Sequence, residues 1–172
     1  ESVTLHVPIS NKPSSREDFP MNQPLDDRYL SNLFTPSEAH EYLRQEVREF
    51  CEARNMDKQA EEYDEKEKLN LELFAEVAEQ GWLGVTIPEE WGGMGMDTTA
   101  AVIIHHELSK YDPGFCLAYL AHAMLFVNNF YYCSNDAQKK LFLEPTLSGE
   151  WVAGMGMSEP GHGTDVLGMT TT

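Results

Sequence analysis

The sequence predicts a mainly α-helical domain that runs, near its end, into the first strand of a β structure. Three observations carry this. Apolar residues recur at intervals of three and four through most of the chain. Several of these segments open on a capping side chain, and some close on glycine. From Trp151 the period drops to two. In "WVAGMGMS", Trp151, Ala153, Met155 and Met157 share one side, and Val152, Gly154, Gly156 and Ser158 the other.

Residues 1–34, with Pro8, Pro13, Pro20 and Pro24, have no period and read as an irregular arm. The helical domain is expected over 35–149. In "TPSEAHEYLRQEVREFCEAR", Thr35 is expected as N-cap, Pro36 as the first helical residue and Glu38 as the capping-box partner. Ala39, Leu43, Val47 and Phe50 form its apolar stripe. The charged run 57–68 reads as a solvated helical turn or linker. Asn70 caps "LELFAEVAEQ", whose inner face is Leu73, Phe74, Val77 and Ala78, and Gly81 stops it. A glycine-rich loop follows, and Asp97 caps a helix through Tyr111.

Asp112-Pro113-Gly114 makes a turn into "FCLAYLAHAMLFVNNFYY", which is apolar nearly all round and reads as a buried central helix. Asn135 with Gln138 opens one more helix, which Pro145 and Ser148-Gly149 are expected to end. The strand from Trp151 has no partner strand in the chain, so its backbone groups must be paired by another chain or by further sequence. Residues 150–172 therefore read as the beginning of a second domain.

Composition narrows the function. A formal charge of −17 opposes phosphate backbones and anionic membranes. The longest apolar run, Phe115–Val127, is interrupted by His122 and is shorter than the roughly 20 residues of a membrane span. Cys51, Cys116 and Cys133 are odd in number and form no CxxC pair, as expected of free thiols in a reducing compartment. No secretory signal opens residues 1–30, although a targeting peptide could have been removed.

The stretch "GMSEPGHGTD" carries the chemistry. Glycines on one strand face let a ligand approach the backbone. Gly161 and Gly163 can take positive φ and turn N–H groups outward, an arrangement that binds anions. Ser158 and Thr164 add hydroxyl donors. The pattern suits a phosphate or pyrophosphate with a flat ring along the strand; a polar turn with glycines serving geometry alone explains the same residues. It is neither a dinucleotide fingerprint nor a Walker loop.

"GVTIPEEWGGMGMD", "HHELSKYDPG", "NDAQKKLFLEPTLSGEW" and "MGMSEPGHGTDVLGM" occur in that order. Together they resemble the acyl-CoA dehydrogenase family over residues 36–172. The resemblance implies an N-terminal helical domain, a middle β-barrel-like domain and a C-terminal helical bundle, of which this chain carries the first and the opening of the second. It implies FAD as cofactor and α,β-dehydrogenation of an acyl-CoA thioester in fatty acid β-oxidation. Met155, Met157 and Ser158 would lie beside the isoalloxazine ring, and Gly163 and Thr164 near the pyrophosphate. Leu117, Ala118, Ala121 and Thr164 would face the substrate. The catalytic glutamate belongs to the C-terminal bundle and has no counterpart here, so this portion alone is expected to be inactive. Further implied are electron-transferring flavoprotein as acceptor, a homodimer or homotetramer, and a bacterial cytoplasmic or mitochondrial matrix location.

An oxidase or flavin monooxygenase of the same fold, or a non-catalytic helical scaffold, remains as an alternative reading. His105 and His106 point to different helix faces with no second histidine at i+4, which argues against a metal site. His122 reads as a satisfied core histidine, His162 as solvent-facing, and Trp91-Gly92-Gly93 as a structural turn.

Overall fold

The computed structural model describes residues 37–171, which lie in one compact unit, Pro36–Thr172. The irregular arm, and Thr35 and Pro36 as cap residues, lie outside the described residues. Helix α1 (Glu38–Ala53) is capped by Ser37, whose side chain accepts from the His40 amide. His40 completes the capping box, in place of the Glu38 expected from sequence. The cap sits two residues later than expected, so the box partner moves with it.

Leu43, Val47, Phe50 and Cys51 of α1 are buried, while Ala39 is exposed. A helix this short is marginal alone. Burying side chains of this size contributes about 2 kcal/mol each, which outweighs a cap of about 1 kcal/mol. The charged run is helical as far as Glu65, in α2 (Met56–Glu65), anchored by the buried Met56, and its last three residues turn out of the helix. Helix α3 (Leu71–Glu79) has Asn70 as N-cap and stops before Gly81, whose φ is +77°.

Two short 3-10 turns, Trp82–Gly84 and Glu89–Trp91, follow. Gly92 takes φ +86°, and a Cβ on Gly93 would overlap the Ile87 carbonyl oxygen. Helix α4 (Thr98–Tyr111) is capped by Asp97 and buries Ala100, Ala101, Ile103, Ile104, Glu107 and Leu108.

Helix α5 (Pro113–Leu120) takes Asp112 as its cap. It continues without a break through a π-helical stretch, Ala121–Asn128, into α6 (Asn129–Cys133). The expected central rod is present, but it is not buried all round. Phe115, Cys116, Tyr119, His122, Ala123 and Val127 face inward, whereas Leu117 is 65% and Tyr132 64% exposed.

Helix α7 (Asp136–Leu147) has the Asn135–Gln138 capping box. Pro145 does not end it. At that position only the missing N–H and the ring must be accommodated, and the helix closes two residues later with Gly149 at φ +77°.

One core joins α1, α3, α4 and α5, with Phe50 edge-on to Trp82 at 4.9 Å. A smaller one gathers Ile87, Val127 and Leu143 with Trp91, Phe126 and Phe130.

The predicted helical class holds. The strand expected from Trp151 does not form: residues 152–158 carry no regular structure, and no strand occurs among the described residues. The reason is the one the sequence raises, since a strand needs a partner edge.

Candidate functional site

The segment after α7 is held at two places. The Trp151 amide donates to the Pro145 carbonyl (2.9 Å), and the Ala153 amide donates to Nδ1 of His122 (3.0 Å). His122 is wholly buried, and its Nε2 lies 2.9 Å from the Thr146 carbonyl oxygen. A carbonyl only accepts, so the ring proton sits on Nε2. Burial pushes the His122 pKa down against the pull of its two backbone hydrogen bonds. It is therefore the satisfied core histidine that the sequence implies.

Beyond Ala153 the chain is bare. Gly154, Gly156, Gly161 and Gly163 have nothing within 4 Å of the position a Cβ would take. Met155, Ser158 and Thr164 are exposed and Met157 half-buried. Glu159 and His162 exchange two backbone hydrogen bonds, 2.9 and 3.1 Å, closing a tight turn over Pro160-Gly161. Neither Gly161 nor Gly163 takes the positive φ expected of it. Pro160 presets the turn, and its closure leaves ordinary backbone angles at Gly161.

The Glu159 carboxylate accepts from Thr170 N (3.0 Å), Thr170 Oγ1 (3.2 Å) and Thr171 N (2.8 Å), which closes the loop. Hydrogen bonds from Thr171 and then Thr170 hold this carboxyl down at about 2. His162 does not simply face solvent: it is half-buried, with its ring over Gly168, because the turn folds it back.

Of the residues expected to face an acyl chain, Leu117 is exposed and Ala118 and Ala121 are half-buried on the rod. Ala121 precedes His122, and Ala153 stands two residues before Met155. The His122–Ala153 bond thus joins the two predicted groups. A groove of about 860 Å3 lies elsewhere, lined in part by Gly84, Trp91, Leu143 and Leu147. None of the predicted binding residues lines it.

The histidine pair on α4 holds no metal cluster among the described residues. Its neighbour Glu107 is wholly buried and accepts from Arg44 (3.1 Å), Arg48 (3.3 Å) and both ways from Lys110 (2.9 Å). Burial raises its pKa, but hydrogen bonds from Lys110, Arg48 and Arg44 outweigh this and hold it at about 2. This hub was missed from sequence; its one signal was Arg44 and Arg48 at i,i+4 beside the α1 stripe. The Glu159 clamp had no signal.

Residues 37–150 match the acyl-CoA dehydrogenase N-terminal domain family. The chain belongs to the acyl-CoA dehydrogenase family. Mitochondrial isovaleryl-CoA dehydrogenase of Bos taurus is 33% identical over 135 residues, covering 77% of this chain and 32% of that protein. A structure of the electron transferring flavoprotein of Acidaminococcus fermentans superposes with a TM-score of 0.74 at 31% identity, over 81% of this chain and 36% of that one. An acyl-CoA dehydrogenase from Bacillus anthracis complexed with FAD gives 0.65 at 29% identity, over 79% of this chain and 24% of that one. The chain thus spans about a third of the length of the curated relatives it matches, 32% of the bovine protein. Among the described residues, no helix is long and apolar enough to cross a membrane.

Proposed function

We propose that this chain supplies the flavin-facing and acyl-facing edge of an FAD-dependent acyl-CoA dehydrogenase. The observation that carries this is the unobstructed backbone at Gly154, Gly156, Gly161 and Gly163, in a family whose relatives include an FAD complex. These residues fit a flat ring and a pyrophosphate lying against the main chain.

Met155, Met157 and Ser158 would lie along the isoalloxazine ring. Gly163 and Thr164 would meet the pyrophosphate, with the Thr164 hydroxyl donating to it. Leu117, Ala118, Ala121 and Thr164 would contact the acyl-CoA, the two alanines leaving room for its tail. Bound FAD would supply the hydride acceptor for α,β-dehydrogenation of the thioester.

This chain's residues bind and orient; they provide no base. Glu107 is locked by three cations and Glu159 by two threonines. The likeness to the family implies that the carboxylate taking the α-proton belongs to a C-terminal helical bundle, whose motif no position here matches, so this portion alone should not turn over. Residues 35–149 form the N-terminal helical domain, and residues 150–172 open a middle β domain. Electrons pass to an electron-transferring flavoprotein, the kind of protein named for one structural relative. The assembly is a homodimer or homotetramer working in fatty acid β-oxidation, in a mitochondrial matrix or bacterial cytoplasm.

The complete protein carrying this sequence should purify yellow and release FAD on denaturation. Thr164→Val should weaken FAD affinity about tenfold, the loss of one hydrogen bond to a charged group. Colourless protein that takes up no FAD on reconstitution overturns the proposal.

A further inference from the structure

We infer that His122 is the positioning residue for the flavin-facing segment, holding residues 153–158 on course through the Ala153 amide. This rests on the FAD reading above.

The geometry is specific. One neutral imidazole joins the last turn of α7, through Thr146, to the first residues of the segment, through Ala153. Phe74 packs perpendicular to the ring, with centroids 5.0 Å apart. Between residues 152 and 158, no other hydrogen bond ties the segment to the helices among the described residues. Gly154 and Gly156 have no side chains to pack in its place. A rigid buried ring thus determines where Met155, Met157 and Ser158 stand. The freedom they would gain without it must be removed again when a ligand binds.

The same bond responds to protons. The groups facing the ring are Phe74 from α3, the Thr146 carbonyl from α7 and the Ala153 amide, and none is charged. A proton on Nδ1 replaces the acceptor with a donor and breaks the Ala153 bond. Because burial depresses the folded value, the neutral ring contributes stability that is complete above the ordinary value of about 6.5. That contribution is lost as pH falls from there through the depressed value.

The test uses the complete protein and three variants. His122→Asn places an oxygen near Nδ1 and keeps the Ala153 bond. His122→Gln reaches the Nε2 place and keeps only the Thr146 bond. His122→Phe keeps ring volume alone. FAD dissociation constants, amide exchange at Ala153 in the apoprotein, and FAD release from about pH 7.5 down to the onset of acid unfolding are measured.

Asn should bind FAD within about twofold of the parent, while Gln and Phe should bind about tenfold more weakly and exchange Ala153 about tenfold faster. FAD release from the parent should quicken only as pH falls through the depressed folded value, below the ordinary 6.5, and stay flat in Asn. Equal behaviour of Asn and Gln, or a parental pH profile in Asn, overturns the inference; if Phe does not fold, the Asn–Gln contrast decides. A parent protein that binds no FAD removes the functional reading and this inference together. A parent that binds it, with Asn and Gln alike, removes this inference alone.

Discussion

Glu107→Gln isolates the ionic hub between α1 and α4. The substitution keeps the shape of the side chain and removes its charge. Unfolded, the carboxyl titrates near 4.5; folded, it sits at about 2, and that gap is worth about 3 kcal/mol. The cations are less sheltered than the acid: Arg48 and Lys110 are 47% and 43% exposed, so water screens them. About 2 kcal/mol is the expected loss at neutral pH. Because the folded pKa is depressed, the contribution is complete above 4.5 and fades as pH falls through about 2.

Urea unfolding followed by circular dichroism, on the protein and its variant, measures the gap. It should be about 2 kcal/mol at pH near 7 and less than half of that near pH 3. Subtracting the two curves cancels the other carboxylates of this acidic chain. A gap that stays constant across this range, or that is absent throughout, refutes the reasoning.

Gly93→Ala should destabilise the protein by about 2 kcal/mol or more, because the new methyl meets the Ile87 carbonyl; thermal unfolding measures it. Thiol labelling of the native protein should modify Cys133 alone among the three cysteines, and all three should react in denaturant. Cys51 is the most protected, its pKa pushed up to about 12 first by burial. Fast native reaction at Cys51 or Cys116 would contradict their burial.

Much of the helical architecture was legible in the residues. Asn70, Asp97 and Asn135 each cap the helix assigned to them, and Leu73, Phe74, Val77 and Ala78 face the core as their spacing implies. The first helix start was misplaced because Thr35, Ser37 and the acid after it offer two overlapping capping patterns. Pro145 misled because proline limits a helix only when the surrounding turns cannot absorb it. The π stretch left no trace, since a run that is apolar all round suits either winding. The candidate loop was visible as a glycine pattern, while its turn geometry and its clamp by Glu159 were not.

Read alone, the residues determine where helices begin, which faces are apolar, and that a glycine-rich segment follows the last one. These are local matters: a cap meets its amide within three residues, and a stripe repeats within one turn. Tertiary structure alone decided that Glu107 gathers two arginines from a helix some sixty positions earlier, and that His122 grips Ala153. A buried charge or imidazole takes whichever partners folding brings to it, and chain order does not encode that distance.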